Sequence, residues 1–517
     1  MATRGRYIVG VDNGSQSTKV VIYDLEGNAV AEGRQVLRAA SRPRPGVVEH
    51  PDDDLWDSII GASRQALAIF RGDPREIIGV GLCTIRCCKA FLHADGSLAQ
   101  PVMSWMDARA YQPYMPETPA VAFATTSSGY ITHRFTGEFR DTAANNILLQ
   151  WPIDTDTWQW SSDPALLQQF NVRREQLFEL LPPGAVAGHV TAAASAATGI
   201  PVGLPVVVTA NDKAVEALGS GSLDDRTALI SLGTYIASMV HGGRNRQDVQ
   251  HFWTNFGCVP HRYLYESHGI RRGMWTLTWF MDLLGPEFAA AAAAHGVTRE
   301  HVLEQEARHV PAGCDGLMSV LDWLAPTDKP FRKGIMLGFD ARHTRAHGYR
   351  SILEAIALTM KDNVDAMTDE LGIQLREVVI SGGGSSSPLF MQIFADVFGI
   401  PASRASGPGG ASLGAAICAA VATGVYPDFA TAVARMEKPR ESFAPDAGNT
   451  AVYHRLNAAV YRDIRMLSPD DTQTWRDIKS QLSRDAAVHF AVQLEWSVAP
   501  IDLDRVPPLA IFNAYTL

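Results

Sequence analysis

Cysteine is scarce in this chain, with six in 517 residues. Cys87 and Cys88 are adjacent, and Cys83, Cys258, Cys314 and Cys418 are scattered without CxxC spacing. A disulfide framework and a zinc site are therefore not expected, and a reducing cytoplasm is the fitting location. Positive charge is also short: 45 Lys and Arg stand against 55 Asp and Glu, a net charge of −10. A general nucleic-acid or acidic-membrane binder needs a basic face, so neither partner is expected. No apolar run approaches the roughly 20 residues that span a bilayer. The basic residues before Tyr7 run straight into a strand pattern, so no signal peptide is expected. Equally absent are a Walker A GxxxxGK[ST], a protein-kinase HRD…DFG set and a complete GxGxxG. Any phosphate binding here needs a different architecture.

What is present describes a folded protein. Apolar residues make up 46% and charged residues 19%, which excludes wholesale disorder. The length predicts two to four domains. The opening reads as strand Tyr7–Val11, polar turn Asp12–Thr18 and strand Lys19–Tyr23. A helix is predicted over Asp52–Phe70 and a buried strand over Ile77–Cys83. Leu204–Thr209 is another apolar run, followed by Ala210-Asn211-Asp212 and a helix from Lys213 to Gly219. Thr227–Val240 then repeats strand-turn-strand, with the turn at Ser231-Leu232-Gly233-Thr234. This echo of the opening predicts two related α/β domains, each beginning with a loop of similar job. Farther on come a long helix over Tyr349–Glu370, a strand at Val378–Ile380, and helices over Leu389–Phe398 and Ala411–Ala422. The Ala289–Ala294 run is a helix of high propensity. Beyond about Pro469 the pattern is irregular, a terminal helix and a poorly specified end.

Three segments and one aspartate carry chemistry. In Asp12-x-Gly14-Ser15-x-Ser17-x-Lys19, backbone N–H groups at a strand end suit phosphate oxygens, and Asp12 suits a magnesium ion held through water. The same residues equally make a plain hairpin turn. Ser231–Thr234 is a weaker signal of that sort. Ser381-Gly382-Gly383-Gly384-Ser385-Ser386-Ser387 exposes backbone at a strand's C-terminal end, where α/β folds bind ligands. Asp212 ends an apolar run before a helix. It is placed either to accept a hydroxyl proton during phosphoryl transfer or to cap the helix, and position alone does not separate the two.

In this order the segments resemble the FGGY family of carbohydrate kinases, over roughly residues 7–455. Asp12–Lys19 resembles the first phosphate motif, Trp105-Met106-Asp107-Ala108-Arg109 the W-x-D-x-R segment, and Phe135-Thr136-Gly137-Glu138 the L-T-G-E stretch. Asn211-Asp212 falls at the family's catalytic aspartate and Ser231–Thr234 at the second phosphate motif. Lys333–Gly338 with Tyr349-Arg350 and Glu354–Ala357 resembles the C-terminal signature. Gly382–Gln392 and Ala411–Ala416 resemble the adenosine region. Within the family, a branch of xylulokinase-like bacterial sugar kinases is the nearest likeness, and Ile85-Arg86-Cys87-Cys88 is typical of it.

The resemblance implies two actin-like, ribonuclease-H-like α/β domains flanking a cleft. Residues 1–225 would hold the sugar and the base, and 226–517 the ATP, with an irregular tail after about 469. It implies ATP-dependent phosphorylation of a small sugar or polyol, with Asp212 as base and Asp12 near Mg²⁺. Gly14, Ser15, Gln16, Ser17, Lys19, Gly233, Thr234, Gly382, Gly383, Gly384 and Ser387 would contact ATP. Arg86, Cys87, Trp105, Asp107 and Asp212 would meet the acceptor. A homodimer is compatible with this reading. Glycerol kinases have Arg-Glu where this chain has Arg86-Cys87, and xylulokinases have Met-His, so neither substrate is indicated. Glycerol, ribulose and erythritol are alternative acceptors, and a non-catalytic sugar sensor is the alternative to an enzyme.

Overall fold

Burial on both faces explains why the opening strand reads as an apolar run. β1 (Tyr7–Asn13) lies inside a six-stranded sheet, and Ile8, Val9 and Val11 are at most 1% exposed. The computed structural model describes residues 6–465 except 116–119, 148–149, 234, 325–332, 406–409 and 439. β1 pairs antiparallel with β2 (Ser17–Asp24), and β2 with β3 (Ala29–Val36). Helix α1 (Asp54–Ile69) leads to β4 (Ile77–Thr84), which runs parallel to β1. β5 (Val186–His189) and β6 (Pro205–Asn211) complete the order β5-β6-β4-β1-β2-β3. Helix α2 (Asp212–Gly219) leaves the end of β6.

A seven-stranded sheet repeats this plan. β7 (Thr227–Leu232) and β8 (Ile236–Gly242) form its hairpin, followed by β9 (Phe252–Phe256) and β10 (Tyr263–Ser267). Helix α3 (Arg345–Leu371) leads to β11 (Glu377–Ser381), parallel to β7. Helix α4 (Pro388–Phe398), β12 (Ala402–Ala405), helix α5 (Gly410–Ala422) and β13 (Arg440–Phe443) follow. The order is β9-β10-β8-β7-β11-β12-β13. The path β3-β2-β1-β4-β6 of the first sheet thus recurs as β10-β8-β7-β11-β12 in the second. The echo between the two hairpins extends to whole sheets.

Two boundaries move for local reasons. The first turn shrinks to Gly14-Ser15-Gln16, because Asn13 and Thr18 pair across the strands and Asn13 Nδ2 donates to Thr18 Oγ1 at 2.6 Å. The long helix starts at Arg345, because Thr344 and His347 build a capping box there. The alanine run ends a helix over Gly285–Ala294. The tail expected after about 469 lies outside the described residues. Among the described residues no helix is long and apolar enough to cross a membrane.

The sheets meet through α5, which belongs to the later part of the chain yet packs on β1, β4 and α2. Two glycines permit this. A Cβ at Gly10 would lie 2.0 Å from the Ser412 carbonyl oxygen, and one at Gly81 would lie 1.9 Å from that of Ala415. The Tyr23 hydroxyl joins the Ser412 hydroxyl across the same seam at 2.8 Å.

Candidate active site

Where β6 gives way to α2, two residues suited to capping stand side by side, and the structure divides their work. Asn211 caps the helix: its Oδ1 accepts from Ala214 N at 3.1 Å. Its Nδ2 donates to the carbonyls of Ala144 and Phe256. Asp212 is thereby released from capping. One carboxylate oxygen accepts from Lys213 N at 3.0 Å and lies 3.6 Å from Arg86 Nε. Burial raises its pKa, with Glu216 and Glu266 adding to the rise and Arg86 and Lys213 opposing it.

Asp212 lies on a cavity of about 350 Å³ lined by residues from both halves of the chain, among them Ser15, Arg86, Trp105, Gly233 and Trp253. Arg86 crosses this space. Its two terminal nitrogens donate to Glu266 at 2.6 and 2.7 Å, and its guanidinium sits 5.2 Å from the Trp253 ring centroid. Glu266 is on β10 and Trp253 on β9, so the fork is held from the second sheet. Cys87 also lines the cavity, in a left-handed conformation (φ 62°), and its carbonyl accepts from Gln150 Nε2. Burial pushes its thiol up to about 11, so it stays protonated at neutral pH.

Beside the cavity the carboxylates crowd. The carboxylate of Asp12, near the end of β1, accepts no hydrogen bond among the described residues. Burial, then the like charges of Asp212 and Glu216, push its pKa up to about 7 against the pull of Lys19 and Lys213. Lys19 faces Asp12 across the hairpin and lies 3.4 Å from Glu32. In the turn, Gly14 N donates to Ser17 O at 3.2 Å, Gln16 O accepts from Leu37 N, and Ser17 Oγ accepts from Arg34. Ser15 of this turn and Gly233 of the second hairpin both reach the cavity wall. Thr234 lies outside the described residues.

The glycine-rich loop follows β11. Gly382 is left-handed (φ 82°), and a Cβ there would stand 2.5 Å from the Leu232 carbonyl oxygen. Gly384 is buried against Leu232 and Met274, whereas a Cβ at Gly383 would meet nothing within 4 Å. Ser387 caps α4, accepting from Phe390 N at 3.1 Å.

Asp107 requires a correction. It does not line the cavity and is fully buried. Its carboxylate accepts from Val48 N at 2.8 Å and from Arg109 Nη2 at 2.7 Å, and Arg109 also reaches Glu49. It therefore braces the segment that presents Trp105. The family-like residues of α3 are likewise internal: Arg350 Nε donates to Glu354, which also accepts from the Tyr453 hydroxyl. Glu266, Trp253, Tyr111 and Tyr235 complete the cavity and were not expected from the sequence. For Trp253 and Glu266 the one visible trace is the apolar-aromatic pattern of β9 and β10.

Family models match both halves of the chain. The N-terminal domain of the FGGY family of carbohydrate kinases matches residues 7–115, and the C-terminal domain matches 228–423. The chain is 50% identical over 459 residues to an uncharacterized sugar kinase, YgcE, of Escherichia coli (strain K12), covering 89% of this chain and 93% of that one. It is 25% identical over 503 residues to the autoinducer-2 kinase of Klebsiella pneumoniae, covering 88% and 94%. A solved xylulose kinase from Rhodospirillum rubrum shares the fold, with a TM-score of 0.73 and 24% identity, over 93% of this chain and 100% of that one. With the repeated sheet, the aspartate at the cavity and matching domains on both halves, this chain belongs to the FGGY family of carbohydrate kinases, ATP-using phosphotransferases of sugar hydroxyls with an actin-like two-domain fold.

Proposed function

We propose that the protein transfers the γ-phosphoryl group of ATP to a hydroxyl of a small neutral sugar or polyol bound beside Arg86, with Asp212 as general base. The observation that carries this reading is the release of Asp212 from capping by Asn211, which leaves a carboxylate facing a cavity bounded by both hairpin turns. The acceptor hydroxyl gives its proton to Asp212. Its oxygen bonds to the γ-phosphorus as the bond to the β–γ bridging oxygen breaks, and ADP leaves. The backbone at Gly14–Ser17 and Gly233 would cradle the phosphates, and Gly382–Gly384 with Ser387 would hold the nucleoside end.

Magnesium suits Asp12. Mg²⁺ keeps much of its water and takes one or two carboxylates besides phosphate oxygens. A carboxylate without a hydrogen-bond donor, titrating near 7 among other acids, gains from such a cation. When bound, the ion would neutralise charge on the β- and γ-phosphates. Residues 1–225 would supply the base and 226–517 the nucleotide site, while the acceptor's far wall comes from β9 and β10.

Arg86 is balanced by Glu266, so the cavity offers hydrogen-bond donors and the rings of Trp105, Tyr111, Tyr235 and Trp253. Such a lining favours C–H faces and hydroxyls over a carboxylate. A panel of sugars, polyols and sugar acids, read by coupled ADP release, tests this. Turnover of neutral acceptors is expected; turnover of sugar acids alone would overturn it.

A further inference from the structure

Lys213, the residue after Asp212, has no part in the mechanism above. Its Nζ donates to Ser231 Oγ at 2.6 Å and to Glu216 Oε2 at 3.2 Å. Ser231 donates to Glu216 at 2.8 Å, and Ser381, its partner across β7 and β11, donates to the other carboxylate oxygen. An ammonium has three N–H donors, and these contacts use two. Lys213 is among the residues that line the cavity, with Asp212, Ser15 and Gly233, whereas Glu216 is not; the Lys213 side chain keeps 14% exposure. Its ammonium is thus fixed at the end of β7, two residues before Gly233, where the base and both hairpin turns converge. An ion pair that served only to hold α2 would have no need of the cavity wall. The charge around it points the same way: Asp12, Asp212, Glu216 and Glu266 outnumber Lys19, Arg86 and Lys213, and a triphosphate must enter this surplus of acid.

We propose that Lys213 is a catalytic residue whose remaining N–H donates to the phosphoryl group in flight between ATP and the acceptor. This rests on the kinase reading of the site. The acceptor proton still goes to Asp212, the bond to ADP still breaks as the bond to the acceptor oxygen forms, and Lys213 stays protonated throughout. A rigid donor aimed at charge that develops on the equatorial oxygens favours the transition state over bound ATP.

Calorimetry with ADP, Mg²⁺ and aluminium fluoride, a mimic of the phosphoryl group in flight, tests this on the full chain without knowledge of the acceptor. The wild type should bind the mimic more tightly than ADP alone. Lys213→Met should lose about 10²–10³-fold of that gain, with ADP affinity changed less than about threefold, and Lys213→Arg should recover part of it. If Lys213→Met fails to fold because Glu216 is left buried and unpaired, Lys213→Met/Glu216→Gln keeps the cluster uncharged and should show the same loss. Retention of the full gain in either variant overturns the role of Lys213, as does an equal loss for ADP and the mimic. A wild type with no gain at all would overturn the phosphate-site reading itself, and this inference with it.

Discussion

Arg86 and Glu266 stand 180 residues apart in the chain and form a two-toothed ion pair across the cavity, at 2.6 and 2.7 Å. Glu266 is fully buried and its partner nearly so. A carboxylate for this arginine, which Cys87 does not provide, thus arrives from the opposite sheet.

Breaking this pair should disturb the acceptor more than the nucleotide. Removing one partner of a buried pair costs about 3–5 kcal/mol, because the other charge is left uncompensated. Glu266→Gln is predicted to raise the acceptor KM at least tenfold and to lower the melting temperature, with the KM for ATP little changed. Glu266 also raises the pKa of Asp212, so the acid limb of the rate profile should move to lower pH in this variant. Equal weakening of both substrates would assign the pair to structure alone.

Asp212→Asn is predicted to lower kcat by about 10²–10⁴, with ADP affinity unchanged and no loss of melting temperature, because Asn211 supplies the cap and a buried carboxyl with a raised pKa is replaced by a neutral amide. In the wild type the base must be ionised, so kcat should fall as pH falls. The midpoint should lie above the ordinary aspartate range, since burial, Glu216 and Glu266 outweigh Arg86 and Lys213. Near-wild-type turnover in Asp212→Asn would remove it from the mechanism.

Asp12→Asn should separate stability from function. A carboxyl with a raised folded pKa binds its proton more tightly folded than unfolded, so its effect on stability turns unfavourable as pH rises from about 4 through about 7. The ligand-free variant is predicted to melt higher than wild type at pH 8, with the gain fading by pH 4. Its activity should lose most of its response to Mg²⁺. A melting gain independent of pH, or an unchanged Mg²⁺ dependence, would refute this.

Gly383→Val should act on ATP. A Cβ at this position meets nothing within 4 Å, so the fold tolerates the change, while a branched side chain would stand over the loop. A raised KM for ATP with unchanged acceptor binding is expected. Loss of acceptor affinity with ATP affinity kept would reverse the assignment of the two sites.

Much of this was legible because it is local. Strand alternation, the polar turns after Asp12 and Ser231, and the glycines after Ser381 announce themselves within a few residues, and they locate both hairpins and the loop. What escaped was made by the second sheet folding against the first. Nothing near Glu266, Trp253 or Tyr235 in the chain indicates that they face Arg86. Asp107 was misplaced for a related reason. A carboxylate beside a tryptophan suits a sugar pocket, but its geometry serves Arg109 and Val48 instead. The choice between Asn211 and Asp212 as cap is invisible to residue type, since both favour that position.

The glycines beneath α5 have a bearing on how the enzyme would move. With backbone set this close at Gly10 and Gly81, the two halves have no slack with which to slide apart along the seam. Closure is then expected as a rocking about α5, widest at the outer strands and least beside Asp212. The lever would then carry nucleotide toward acceptor while the base stays still. A saturation scan should accordingly find Gly10 and Gly81 as intolerant as Asp212 itself, for want of volume where Asp212 is intolerant for want of chemistry.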